Sequence, residues 1–171
     1  CLLSRGLGDV YKRQVLDGTH RTCKALVAHG AKHLVLIDSI SERRAPTAGR
    51  VNEAEQMSKE EWSSYRERIT TSARIGAEEY GLTVGIHAHA AGFMDFEPEL
   101  ERLLSEVDEE ILKICFDTGH HSYAGFDPVE FMQKYISRIS YMHFKDIDPK
   151  VKQKVLDNHT GFYDACGQGI F

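Results

Sequence analysis

The sequence has no uncharged apolar run approaching the ~18 residues of a membrane-spanning helix, which excludes such a helix, and no membrane partner is expected. Fourteen glycines and four prolines are too few for a collagen-like or linker-dominated chain. The four cysteines, Cys1, Cys23, Cys115 and Cys166, form no CxxC pair. Neither a zinc knuckle nor a dense disulfide framework is therefore suggested, and a reducing, cytoplasmic setting is expected. Positive charge is also short, with 21 Lys and Arg against 26 Asp and Glu and no strong basic run, so nucleic acid is not an expected partner. No strand candidate is followed by GxGxxG or GxxxxGKS, leaving dinucleotide and P-loop chemistry without a handle. What is present is an ordinary globular composition, 42% hydrophobic and 27% charged over 171 residues.

The two ends of the chain stand out. Residues 4–14 read SRGLGDVYKRQ, without helical or strand periodicity, and resemble the translation of an adapter used in DNA sequencing. This reading makes 1–14 a non-native segment and 15–171 a piece of one domain starting near Val15. Without Arg5, Lys12, Arg13 and Asp9, the 21 basic and 26 acidic residues fall to 18 and 25, a formal charge of −7. The other end stops at GQGIF with no cap or polar tail, so truncation is expected at both ends.

From Thr19 onward, helix and strand patterns alternate. A helix is predicted over 19–30, ending at Gly30. HLVLI at 33–37 is a continuous apolar run, the mark of a strand buried on both faces. A polar stretch over 38–57, with Pro46 and Gly49, reads as a long loop, and such loops are often functional. Ser58 and Glu61 form a capping-box pattern that opens a helix to about Tyr80. Strands follow at 82–87, 111–116 and 139–144, with helices at 97–107, 127–135 and 149–157. This alternation implies βαβ units and a parallel sheet.

Polar residues gather where the strands end: IHAHAAGFMD, FDTGHH and HFKDID. Residues two apart on a strand share a face, so His87 pairs with His89 and His143 with Lys145, while Asp117 ends its own strand. In parallel α/β folds ligands bind outside these carboxyl ends. A single strand-end Asp or His is ordinarily a cap or a loop hydrogen-bonder. Three such ends in three consecutive units favour a divalent-metal site, and mixed N/O donors suit Mn, Co, Zn or Fe better than Ca. His20, His29, His33 and His159 lack this context and read as surface or packing residues, Asp127 before Pro128 as an N-cap, and Cys115 as packing. Cys23 and Cys166 have no partner at a spacing that suggests nucleophilic catalysis.

At HAHAAGFMDFEPELERLL, CFDTGHHSYAGFDPVEFMQKY and RISYMHFKDIDP the sequence resembles the sugar phosphate isomerase/epimerase superfamily, the xylose-isomerase-like TIM barrels. The likeness is dense over 82–149, and KDIDPKVKQKVLDNHTGFYDACGQGIF is similar to the inosose dehydratase branch. It implies an α/β fold, a partial (β/α)8 TIM barrel of about four βα units with parallel strands. It also implies a divalent cofactor (Mn, Co, Mg or Zn) and a keto-polyol or sugar substrate deprotonated next to its carbonyl. By this resemblance the metal ligands are Asp117, His143 and Asp95, the last standing where Glu is usual, with Glu97 as a substitute and a fourth ligand beyond Phe171. Asp95, His89 and Lys145 would be catalytic, and His87 and His120 would bind substrate.

Dehydration of an inosose-like substrate is the favoured expectation. The alternatives are a sugar isomerase or epimerase on the same barrel, such as a hydroxypyruvate isomerase or ketose 3-epimerase relative, an endonuclease-IV-like enzyme, and a non-catalytic remnant. The negative charge argues against the nuclease. A (β/α)8 barrel typically takes about 200–250 residues or more. A four-strand portion leaves open sheet edges, and the isolated piece is predicted to be dimeric or otherwise homo-oligomeric, aggregation-prone or poorly folded.

Overall fold

The computed structural model describes residues 2–171, with side chains from residue 13 onward. The adapter reading concerns 1–14, and of these Cys1 and the side chains of 2–12 lie outside the described residues. Four strands form one sheet: β1 (His33–Ile37), β2 (Thr83–His87), β3 (Lys113–Asp117) and β4 (Ile139–His143). All three pairings are parallel and the spatial order is β1-β2-β3-β4. Seven α-helices accompany them among the described residues: α1 (Leu2–Ala28), α2 (Lys59–Arg74), α3 (Glu97–Glu106), α4 (Thr118–Tyr123), α5 (Pro128–Tyr135), α6 (Pro149–Asp157) and α7 (Phe162–Gly167). None is long and apolar enough to cross a membrane.

Local chemistry sets the boundaries. Ser58 Oγ accepts from the Glu61 N–H at 3.1 Å and Glu61 Oε2 accepts from the Ser58 N–H at 2.8 Å, the reciprocal box that opens α2. α2 then widens into a π turn over Ile75–Glu79. Asp127 caps α5 through the N–H groups of Val129 and Glu130, and Asp148 caps α6 in the same way. At the far end of α3, the Arg138 guanidinium donates to the carbonyls of Leu104, Val107 and Leu112, satisfying acceptors that a helix end leaves open.

Alternation along the strands separates two faces. Leu34, Val84, Ile86, Ile114 and Phe116 are buried in the core beneath the helices with Trp62, Leu100, Leu103 and Phe131. The intervening residues face the other way. There the rings of His33 on β1 and Tyr141 on β4 lie 5.4 Å apart. The outer strands of a flat four-stranded sheet are about 14 Å apart, so the sheet is strongly curled, with these residues on its concave side.

The structure departs from the sequence reading in four places. The first helix begins at Leu2 rather than Thr19, since no proline interrupts 2–28 although the segment lacks an amphipathic pattern. It still ends as expected, with Gly30 in the left-handed region. β1 is not buried on both faces: Ile37 is 54% exposed, because β1 is an outer strand paired on one side only. Two helices, α4 and α7, were not anticipated; each has six residues, too few to show a period. With α6, α7 builds a second small core around Ala90, Ala91, Tyr123 and Ile170, at the carboxyl end of the sheet.

Candidate active site at the strand ends

Asp117 organises the site by dividing the work of its two oxygens. It ends β3 and caps α4, so Oδ1 accepts from the N–H groups of Gly119 and His120, both at 3.0 Å. Oδ2 is left to face His87 Nε2 at 3.3 Å, His143 Nδ1 at 3.3 Å and Lys145 Nζ at 2.9 Å. Burial alone would raise this carboxyl. The hydrogen bonds from His87, the His120 N–H and Lys145 outweigh it and hold Asp117 well below the usual carboxylate range. Gly119 makes the Lys145 approach possible: a Cβ there would stand 2.6 Å from Lys145 Cβ.

His89 and His120 complete the cluster, their ring centroids 4.0 Å apart. His89 Nδ1 lies 2.8 Å from the Ala90 carbonyl, an oxygen that only accepts, so this nitrogen carries the proton and Nε2 keeps a lone pair. The Ala90 N–H donates to His120 Nδ1 at 3.3 Å, so that nitrogen is unprotonated and the neutral ring presents N–H at Nε2. Burial lowers both rings' proton affinity, His120 down to about 3, so both are neutral near pH 7. Phe162 and Phe171 pack on them at 5.6 Å (His89) and 4.8 Å (His120), giving this side of the site an apolar wall. Below, Cys115 Sγ lies 3.8 Å from His143 Nε2, its thiol pushed up to about 11 by burial and by Asp117.

Thus His87, His89, Asp117, His120, His143 and Lys145 meet in one cluster. Asp95, expected among the ligands, makes no hydrogen bond or ion pair with these six side chains. Its Oδ2 accepts from the Ala91 N–H at 3.0 Å, its Oδ1 is buried without a partner, and burial raises its carboxyl to about 7. Glu97, the substitute considered from sequence, turns to His121 Nε2 at 3.3 Å. His121 was not singled out in the sequence, nor was Asp38, the strand-end carboxylate of β1, which accepts from the Phe93 N–H at 2.7 Å. The strand-end rule, applied to β1, points to Asp38. Also unforeseen was Arg44, buried from within the polar 38–57 loop and paired to Glu99.

The donor chemistry fits a divalent ion. Ligand atoms of His87, Asp117 and His120 lie within 4.8 Å of one another, and His143 Nδ1 reaches the same Asp117 oxygen. Imidazole nitrogens beside a carboxylate suit first-row transition ions. His87 Nδ1 is a buried nitrogen with no hydrogen-bond partner, so either ring nitrogen of His87 can be turned to an ion without breaking a bond other than that to Asp117. His120 is the least suited of the four, because the Ala90 N–H already takes its lone pair.

Fold and site together define a parallel βα protein of the barrel type, with a histidine–carboxylate centre at the carboxyl ends of its strands. The Xylose isomerase-like TIM barrel model matches residues 3–171, and the chain belongs to that family. Among curated proteins it is 32% identical over 129 residues to an inosose dehydratase of Geobacillus kaustophilus, covering 75% of this chain and 41% of that protein. It is 30% identical over 142 residues to the rhizopine catabolism protein MocC of Rhizobium meliloti, covering 83% and 43%. The chain thus spans less than half the length of these relatives. In fold it is similar to the probable 3-DHS dehydratase AsbF of Bacillus anthracis, with a TM-score of 0.66, 22% identity, and 82% of this chain and 47% of that one covered. It is also similar to the zinc-bound IolI protein, with a TM-score of 0.60, 17% identity, and 77% and 44% covered.

Proposed function

We propose that this chain carries much of the active site of a divalent-metal-dependent lyase, one that dehydrates an inosose-like keto-polyol in the cytoplasm. The observation that carries the reading is the convergence of His87, His143 and Lys145 on one oxygen of Asp117, beside two neutral imidazoles of opposite tautomer. The inosose dehydratases among its relatives support the substrate class.

His87, Asp117 and His143 would hold the ion, of the Mn, Co, Mg or Zn kind. Bound there, it supplies a Lewis acid for the substrate carbonyl and stabilises the charge that develops as the neighbouring proton leaves. His89 Nε2, with its lone pair free, takes that proton. His120 Nε2–H donates a hydrogen bond to a substrate oxygen without giving up its proton. The leaving β-hydroxyl departs as water on receiving the proton that His89 carries, so one hydrogen and one hydroxyl are lost and His89 returns to neutral. Lys145, its ammonium on Asp117, orients substrate oxygens at the open side of the site. Phe162 and Phe171 limit access of water to the two imidazoles.

The test is incubation of the metal-loaded protein with 2-keto-myo-inositol in deuterated water. Loss of water together with exchange of the α-proton is expected. Exchange or epimerisation without loss of water would replace the dehydratase by an isomerase or epimerase, and a lack of both exchange and loss of water under all four metals would overturn the reading.

A further inference from the structure

Arg44 touches none of the residues of the site, yet it is a charged side chain only 1% exposed. Its guanidinium forks onto both oxygens of Glu99, Nη1 to Oε1 at 2.7 Å and Nη2 to Oε2 at 3.2 Å, and Nη1 also donates to the Glu55 carbonyl at 3.0 Å. It lies against the rings of Phe93 and Phe96, 5.3 and 4.9 Å from their centroids. Such a planar fork holds a carboxylate in one orientation, which a lysine does not.

Glu99 in turn holds the loop that follows β2. Its Oε2, which Arg44 Nη2 grips, also accepts from the N–H groups of Asp95 and Phe96 at 3.1 and 3.0 Å. From there the loop closes on itself. The His89 N–H donates to the Met94 carbonyl at 2.8 Å, the Gly92 N–H to the His89 carbonyl at 3.0 Å, and the Ala91 N–H to Asp95 Oδ2 at 3.0 Å. Ala91 sits at φ 68°, a conformation an alanine keeps only where its surroundings over-determine it. Inside this ring lies Ala90, whose N–H and carbonyl decide which nitrogens of His120 and His89 carry a proton.

We propose that Arg44 is a positioning residue: through Glu99 it holds the 89–96 loop in the one shape that fixes the opposite tautomers of His89 and His120. The inference rests on the reading of those two imidazoles as the groups that meet substrate, but its first test does not depend on that reading.

The test is side-chain ¹H–¹⁵N correlation spectroscopy of the histidines in the whole protein, with Arg44→Met, Arg44→Lys and the double variant Arg44→Met/Glu99→Gln. In the wild type, His89 Nε2 and His120 Nδ1 give the shifts of unprotonated nitrogen. In Arg44→Met both rings are expected to become tautomer mixtures, and Arg44→Lys to fall between. Arg44→Met leaves the Glu99 carboxylate, only 11% exposed, without its cation and can fail to fold. The double variant removes both charges and is expected to recover the thermal midpoint while the tautomers remain mixed. Wild-type tautomers in the double variant, or in a folded Arg44→Met, would overturn the proposal, since Arg44 would then only neutralise Glu99. With the keto-polyol, Arg44→Lys is expected to lose about 10–100-fold in kcat with KM within about threefold, as displaced catalytic groups do. A rise in KM with kcat unchanged would also count against positioning. If no turnover occurs in the wild type, the spectra still decide the role of Arg44.

Discussion

His89 and His120 stand with ring centroids 4.0 Å apart, and one residue, Ala90, gives them opposite tautomers. A carbonyl draws the proton to Nδ1 of the first ring, and an N–H drives it from Nδ1 of the second. Two residues of the same type thereby present a lone pair and an N–H side by side at neutral pH, without a charge on either.

That division predicts unequal losses. His89→Gln removes the lone pair that accepts the proton and is expected to cut kcat by about 10²–10⁴-fold and to abolish α-proton exchange. His120→Ala removes a donor to a substrate oxygen; the expected loss is about 10²-fold, with exchange slowed but still measurable. Equal loss of exchange in the two variants would contradict the assignment. Because burial lowers His89 below its ordinary 6.5, the acid limb of the kcat/KM profile should also lie below that value.

Asp117 is expected to separate two functions under substitution. Asn keeps an oxygen that can cap α4 but loses the charge facing His87, His143 and Lys145, whereas Ala loses both. Asp117→Asn and Asp117→Ala should both lose bound metal, read by elemental analysis after dialysis. Denaturant unfolding should place Asp117→Ala about 1 kcal/mol below Asp117→Asn, the usual worth of an N-cap. Retained metal and turnover in Asp117→Asn would move the site elsewhere.

Much of this site is legible in the sequence because it depends on local rules. Strand-end position and the two-residue period bring together His87, His89, Asp117, His143 and Lys145, and the caps at Ser58 and Asp127 close within three residues. What is illegible depends on contacts across long stretches of chain. Arg44 and Glu99 are 55 residues apart, and the polar 38–57 segment gives no pattern that would mark one arginine as buried. The tautomers depend on a single peptide N–H and on a loop whose shape rests on Ala91 at positive φ. Asp95 is placed in that loop by sequence, but the direction of its carboxylate, toward the Ala91 N–H, follows only from the folded ring.

Asp95 also gives a pH dependence whose sign is fixed. Its carboxyl is raised in the folded chain from 3.8 to about 7, so the native state binds this proton more tightly than the unfolded chain does. Its contribution is fully present below about 4 and is lost as pH rises through about 7. The ceiling on that loss is about 4 kcal/mol, from a shift of about three units, and relaxation around the buried group reduces it. Asp95→Asn keeps an oxygen for the Ala91 N–H and has no charge to bury. In metal-free protein it should match the wild type near pH 4 and exceed it at pH 8. Urea unfolding at the two pH values measures this, and parallel curves for the two proteins would refute it.

Gly119 offers a test of how Lys145 reaches Asp117. Its backbone is helical, so alanine meets no conformational penalty there, and the obstacle is the 2.6 Å gap to Lys145 Cβ. A flexible ammonium could swing aside, but a Cβ is fixed to the backbone, so the strand-end segment carrying Lys145 must shift. Gly119→Ala is therefore expected to cost about 1–3 kcal/mol and to weaken the Lys145–Asp117 pair. Adding Lys145→Ala should not restore stability, because the clashing atom remains. Adding Lys145→Gly should restore most of it, apart from the conformational cost of glycine itself. Recovery with Lys145→Ala as complete as with Lys145→Gly would show that the ammonium, not the Cβ, is what Gly119 makes room for.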